Sequence, residues 1–466
     1  KEIMDAILLH NATIVTSSGE TTGSIFLSEG KICEIIYSGQ DDYELAVRRT
    51  AERYADVETI ELAGKHLMAG GIDAHVHFRE PGLTHKADIE TESMAAVAGG
   101  VTSVMDMPNT SPATISGERL MSKLDCVGER SYVNIGFHIG ATNGNIEEIR
   151  NIINGKTDVP SAKTGGVKVF MGSSTGNMLV DSKDTLDSIF EIKERPVLVH
   201  CEDEETIRTN LEKAKEQYGD DIPFKEHMNI RSRKACIRSS IKALEKAISK
   251  KTKLVLCHIS TKEEMEMVRA AKGNNPDIIA ETSCNYLWFC DEDYERLGSK
   301  VKCNPSIKTK EDRKALRNAL ADGIVDIIGS DHAPHLLSEK AGIYTSAPSG
   351  LPSIQQTLPV LLTVAAEENI PLSRIAAVFS ENASDLYGLK RGKIQTGYAA
   401  DIVIFDIEGK TDVRNDDQYS KCGWTPYDGA SLEGRIETVY VNGRKVMENG
   451  KVMTGNSYGK LLEFNC

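Results

Sequence analysis

The stretch "GGIDAHVHFREPG", residues 70–82, sets two histidines one residue apart, His75 and His77, in an apolar run, with Arg79 two positions further on. In a β-strand residues i and i+2 face the same side, so a strand carried through this stretch puts His75, His77 and Arg79 together. Taken alone, a His-x-His pair at a strand end is an ordinary polar terminus. Neutral imidazole is also the commonest protein metal ligand. The rest of the chain must decide between these readings.

Seven more stretches have the same form. "GVTSVMDM", "YVNIGFHIG", "GGVKVFMG", "RPVLVHCE", "KLVLCHIS", "PDIIAETS" and "VDIIGSDH" are short apolar runs separated by helix-length segments. That alternation is the signature of a parallel sheet built from βα units. Eight units over about 320 residues predict an α/β fold, a (β/α)8 TIM barrel spanning 67–387. The flanks read differently. "AILLHNATIVT" and "GSIFLSEGKICEII" near the start, and "ADIVIFD" and "IETVYVNGRKVMENGKV" near the end, are alternating runs broken by turn residues, and Asn442-Gly443 is a hairpin turn signal. Neither flank carries enough apolar sequence for a sheet of its own. Residues 1–66 and 388–466 are therefore expected to share one small β domain.

Bulk composition narrows the function. The 466 residues are 40% hydrophobic and 27% charged, as in a soluble globular protein with room for two domains. A net charge of −14 argues against nucleic-acid binding, which wants a basic face, but leaves room for a small anionic substrate in a local pocket. The apolar runs are too short to span a membrane, and no apolar leader with a cleavage site is visible. Ten cysteines with no C-x-x-C spacing suggest reduced thiols and a cytoplasmic setting; Cys201 and Cys257 read as small core residues.

The polar residues fall at equivalent places. Run 1 ends in His75 and His77, run 5 in His200, run 6 in His258 and run 8 in Asp331. In a (β/α)8 barrel these strand ends carry the chemistry, and a clustered set of such ligand types points to a metal centre. Lys168, in run 4, is a cation among would-be metal ligands. It makes sense there if its neutral amine has reacted with carbon dioxide, giving an anionic carbamate able to bridge two metals. His10, His66 and His227 read as surface or packing residues and His138 as a core histidine, while His85 is ambiguous. "MGSSTGNM", residues 171–178, lacks the ending of a P-loop and reads as a mobile loop over the barrel mouth.

The set His75-x-His77, Lys168, His200, His258 and Asp331 resembles the binuclear amidohydrolase superfamily. Within it the chain is similar, nearly end to end, to the cyclic amidohydrolases: dihydroorotases, hydantoinases (dihydropyrimidinases) and allantoinases. "HFREPG", "MPNT" and "SDHAPH" resemble the dihydroorotases in particular. That resemblance implies reversible closure of N-carbamoyl-L-aspartate to L-dihydroorotate and water, a step of pyrimidine synthesis. It implies two divalent ions, zinc before others, with His75, His77 and Asp331 holding one and His200 and His258 the other. Carboxylated Lys168 and a hydroxide would bridge them, and Asp331 would also carry the catalytic proton. Arg79, Asn109 and His335 would bind the substrate carboxylate, with Asn304 beside the pyrimidine ring. In run 7 the chain departs from many relatives, with Cys284 and Asn285 where those have histidines that are not ligands. The partner expected is the small-molecule substrate, and a homodimer is left open. Two other readings stand beside this one: hydantoinase or allantoinase chemistry on a different ring, and a non-catalytic scaffold of the same fold.

Overall fold

All eight predicted barrel runs form strands in the computed structural model, which describes residues 5–172, 178–455 and 457–465. They are β1 (Gly71–Val76), β2 (Val101–Asp106), β3 (Asn134–Gly140), β4 (Thr164–Phe170), β5 (Val197–His200), β6 (Leu254–Leu256), β7 (Ile278–Thr282) and β8 (Ile327–Ile328). Nearly every residue in them is buried, as continuous apolar runs covered on both faces must be. Each strand pairs with its sequence neighbour in parallel. A parallel bridge between Val76 and His332, with the His77 N–H donating to the His332 carbonyl at 2.8 Å, closes the ring. In the β4–β5 register Leu198 opposes Lys168 and His200 opposes Phe170, so Lys168 sits one layer deeper than His200.

Helices begin soon after the strands, on capping side chains that satisfy their first N–H groups. Asp203, three residues past His200, caps Glu204–Tyr218 through Thr206, and Thr261, three past His258, forms a capping box with Glu264. The strand ends that carry polar side chains are thereby held at short, fixed turns.

The two chain ends do form one sheet of nine strands. His66–Ala69 joins them, pairing with Ala6–Thr16 on one side and with Ile402–Asp412 on the other. The sheet thus runs past the expected boundary at residue 66, and the chain enters the barrel at Gly70. The Asn442-Gly443 turn has positive φ at both residues, 51° and 72°, the conformation a tight hairpin requires. The C-terminal segment also serves the barrel. Residues 413–430 reach its mouth, where Trp424 Nε1–H donates to the His335 carbonyl at 2.7 Å and the Tyr427 hydroxyl lies 2.9 Å from Asn285 Oδ1. Past the sheet, Leu461 bridges to Ile135, and Leu462 and Phe464 pack with Ile72, Leu198, Val255 and Tyr387 to fill the opposite end. A Cβ on Gly136 would meet the Phe464 ring at 2.5 Å, so glycine there lets the tail in.

Among the described residues no helix is long and apolar enough to cross a membrane, and the nine described cysteines are free thiols. Of the loop expected at 171–178, residues 173–177 lie outside the described residues.

Candidate active site

His75, His77, Lys168, His200, His258 and Asp331 line one cavity at the C-terminal end of the barrel, together with Asn304. Each comes from a different strand or the turn after it, except the His75–His77 pair. All four histidines are buried, and burial is the largest cause holding each ring below the usual histidine range. They are neutral imidazoles, the form that binds a metal.

Their hydrogens are committed elsewhere. His75 Nδ1 lies 2.6 Å from Glu281 Oε1, His77 Nδ1 2.9 Å from Asn109 Oδ1, and His200 Nε2 2.9 Å from Glu202 Oε2. Each of these oxygens accepts an N–H, so the opposite ring nitrogen of each histidine presents a lone pair. The free nitrogens converge. His75 Nε2 and His77 Nε2 lie 3.4 and 3.1 Å from Asp331 Oδ1. Ligand atoms of these three residues all fall within 4.8 Å of one another. His200 Nδ1 and His258 Nε2 face each other at 3.0 Å, a contact that needs a proton or a shared cation between them. This donor set, nitrogen-rich with one carboxylate, fits two divalent ions.

Lys168 Nζ is buried, donates to Cys257 Sγ at 3.2 Å, and forms no ion pair among the described residues. Asp331 is ionised. Burial pushes its carboxyl up, but the polar and charged groups around it, the Lys168 ammonium among them, outweigh that and hold it below the usual range. Asp331 and His258 take positive φ, 48° and 39°, a conformation that costs non-glycine residues roughly 1 kcal/mol or more and clusters at functional sites.

Arg79 reaches the site by a different route from the one its spacing suggests. The strand stops at Val76, and Arg79 itself adopts a left-handed φ of 66°. Its Nε–H donates to the Pro334 carbonyl at 3.1 Å, and Nη2 lies 3.0 Å from His335 Nε2. Arg79 is 3% exposed and its guanidinium forms no ion pair among the described residues; burial lowers its pKa to about 10, against the opposing pull of Asp106, Asp331, Glu339 and Glu92. Asn109 touches a histidine through its oxygen, and Asn304 Oδ1 is buried with no hydrogen-bond partner.

The bland histidine readings fit. His138 is buried and bonds the Ala74 carbonyl at 2.9 Å, and His227 is packed between Tyr344 and the Cys303 carbonyl. Glu281, Glu202 and the buried His332–Glu92 pair (2.6 Å) were not singled out from the sequence. The available signal was a carboxylate inside or just past an apolar strand run, which Glu281 and Glu202 both are.

Known proteins resemble the chain over almost its whole length. Residues 66–446 match the Amidohydrolase family. A dihydroorotase from Methanosarcina mazei is 33% identical over 91% of both chains. An allantoinase from Deinococcus radiodurans is 30% identical over 98% of both. Among solved structures, the L-hydantoinase (dihydropyrimidinase) from Arthrobacter aurescens superposes with a TM-score of 0.89 at 26% identity, covering 99% of this chain and 100% of that one. A barrel with these histidines at its strand ends, matched so completely, belongs to the amidohydrolase family, among the enzymes that hydrolyse cyclic amides.

Proposed function

We propose that the chain is a dihydroorotase, interconverting N-carbamoyl-L-aspartate with L-dihydroorotate and water. The observation that carries this reading is Arg79. A buried guanidinium with no ion pair among the described residues is costly, and here it contacts His335, whose Nε2 lies against the carbonyl of Ser349, a residue lining the cavity that holds the metal-ligating set. A planar fork of donors suits a carboxylate, and dihydroorotate differs from dihydrouracil by one carboxylate on the ring. Dihydroorotases are prominent among the similar proteins, with relatives from several archaea at 30–33% identity.

His75, His77 and Asp331 would hold one divalent ion, and His200 and His258 the second; a histidine-rich set favours zinc. Lys168 would bridge them as a carbamate, formed when its neutral amine adds carbon dioxide and loses a proton. The lack of an ion pair for a buried lysine among histidines supports that modification. Bound there, such ions supply Lewis acidity and a nucleophilic water at neutral pH.

The protein's own groups do the rest. In the hydrolytic direction water oxygen adds to the ring carbonyl carbon, the ring C–N bond breaks, and a proton passes to the leaving nitrogen. Asp331 takes that proton from water and delivers it. Arg79 fixes the ring through its carboxylate, with His335 and Asn109 beside it, and Asn304, whose Oδ1 has no hydrogen-bond partner among the described residues, faces the ring. The free thiols fit a reducing cytoplasm.

A turnover panel of dihydroorotate, dihydrouracil, hydantoin and allantoin tests the assignment. Dihydroorotate should have the highest kcat/KM. A carboxylate-free ring leaves Arg79 unpaired, at a cost of about 1–3 kcal/mol. Faster turnover of hydantoin or allantoin would overturn the reading in favour of those activities.

A further inference from the structure

Both ring nitrogens of His335 face cations. Lys86 Nζ lies 3.0 Å from Nδ1, and Arg79 Nη2 lies 3.0 Å from Nε2. Ammonium and guanidinium groups only donate. Burial, then Arg79, Lys86 and Lys340, holds His335 far below the usual histidine range, so the ring is neutral and owns one lone pair. It can accept from only one of the two cations.

Two contacts say which. Lys86 is held by its ion pair to Glu339, Nζ to Oε1 at 2.9 Å; Glu339 is itself held by the Leu336 N–H at 2.9 Å, and its Oε2 lies 3.8 Å from His335 Nδ1, beyond hydrogen-bond reach. On the far side of the ring, Nε2 lies 3.1 Å from the Ser349 carbonyl, which can only accept. Nε2 therefore carries the hydrogen and Nδ1 the lone pair. The 3.0 Å contact between Arg79 Nη2 and Nε2 is then donor against donor. His335 looks like a partner for Arg79 but gives it nothing to bind.

We propose that Lys86 is a positioning residue: by holding His335 in the Nε2–H tautomer it denies Arg79 an internal acceptor and leaves the guanidinium for the substrate carboxylate. The link to substrate rests on the dihydroorotase reading; the tautomer does not. If the tautomer were reversed, the Nε2 lone pair would accept from Nη2, and the substrate would have to compete for a donor already satisfied.

Nitrogen NMR of 15N-histidine-labelled, metal-loaded protein tests this, with the His335 signals assigned by their loss in His335→Asn. Wild type and Lys86→Arg should show protonated Nε2 and bare Nδ1. In Lys86→Gln, whose amide oxygen can accept from Nδ1–H, the ring should move toward the other tautomer. Kinetically, Lys86→Gln should raise KM for dihydroorotate about tenfold or more, the scale of a lost charge-assisted hydrogen bond, with kcat within about threefold. Lys86→Arg should restore the wild-type KM. A merely structural role would lower kcat and metal content instead. Protonated Nδ1 in wild type overturns the proposal, and that spectrum needs no folded Lys86 variant. An unchanged tautomer and KM in Lys86→Gln overturns it as well. If wild type fails to turn over dihydroorotate, the function reading falls, while the spectra still decide whether Lys86 sets the tautomer.

Discussion

Arg79 stands where stability alone would not put it. Its backbone is left-handed, its guanidinium is buried, and its one sound acceptor is the Pro334 carbonyl. A buried charge with no direct ion pair among the described residues is expensive, and such expense concentrates where binding recovers it. Arg79→Met should therefore separate function from stability. We expect kcat/KM for dihydroorotate to fall at least ~100-fold, because a charge-assisted bidentate contact in a closed site is lost. Metal content should stay at the wild-type level, since the ligands' own partners are Glu281, Asn109 and Glu202. The melting temperature should hold or rise, because a buried charge is removed while the backbone strain is unchanged. Arg79→Lys should recover little activity, since a point charge cannot reproduce the fork. Steady-state kinetics, elemental analysis and thermal melts check the three parts, and wild-type turnover by Arg79→Met would defeat the substrate assignment.

The elements show where sequence reading succeeds and where it stops. Barrel strands were legible because each is a continuous apolar run between helix-length segments, and His75, His77, His200, His258 and Asp331 were legible because each interrupts or ends such a run. Arg79 was placed beside His77 for the wrong local reason: period-two alternation assumes a strand, and the strand ends at Val76. Contacts between segments far apart in the chain left no local trace. Lys86 meets His335 across 249 positions and Trp424 meets it across 89. The tail beyond the end sheet was also invisible, since "KLLEF" is too short to show a period. Yet Phe464 is 1% exposed and Leu462 2%, and both close the end of the barrel away from the ligands. Phe464→Ala should cost about 3–5 kcal/mol, the usual range for emptying a packed aromatic site. Denaturant unfolding should show that loss, while kcat at 25 °C changes little. A fall in kcat with unchanged stability would mean that the tail acts on the mouth rather than on the core.

At the scale of the whole molecule, the proposed metal ligands tie the barrel across its circumference. They come from the ends of β1, β5, β6 and β8 and from within β4. Without ions the centre is left with four buried neutral imidazoles, an ionised Asp331 and a lysine with no ion pair among the described residues. Buried polar groups lacking partners destabilise a fold by about 1–3 kcal/mol each. A ligand that binds only the folded chain stabilises it by roughly 4 kcal/mol per site at a thousandfold excess over Kd. Protein purified without chelator should therefore carry close to two metal equivalents per chain, mostly zinc. Stripping them should abolish turnover and lower the melting temperature by about 5–10 °C, with both restored by adding zinc and bicarbonate. Bicarbonate is part of the test because re-forming the bridge requires carbon dioxide at Lys168 as well as metal. If zinc alone restored full activity in rigorously carbon-dioxide-free buffer, the carbamate would be wrong and the two-ion site could stand. Full activity at one equivalent or fewer would instead remove the second ion, and with it the role assigned to His200 and His258.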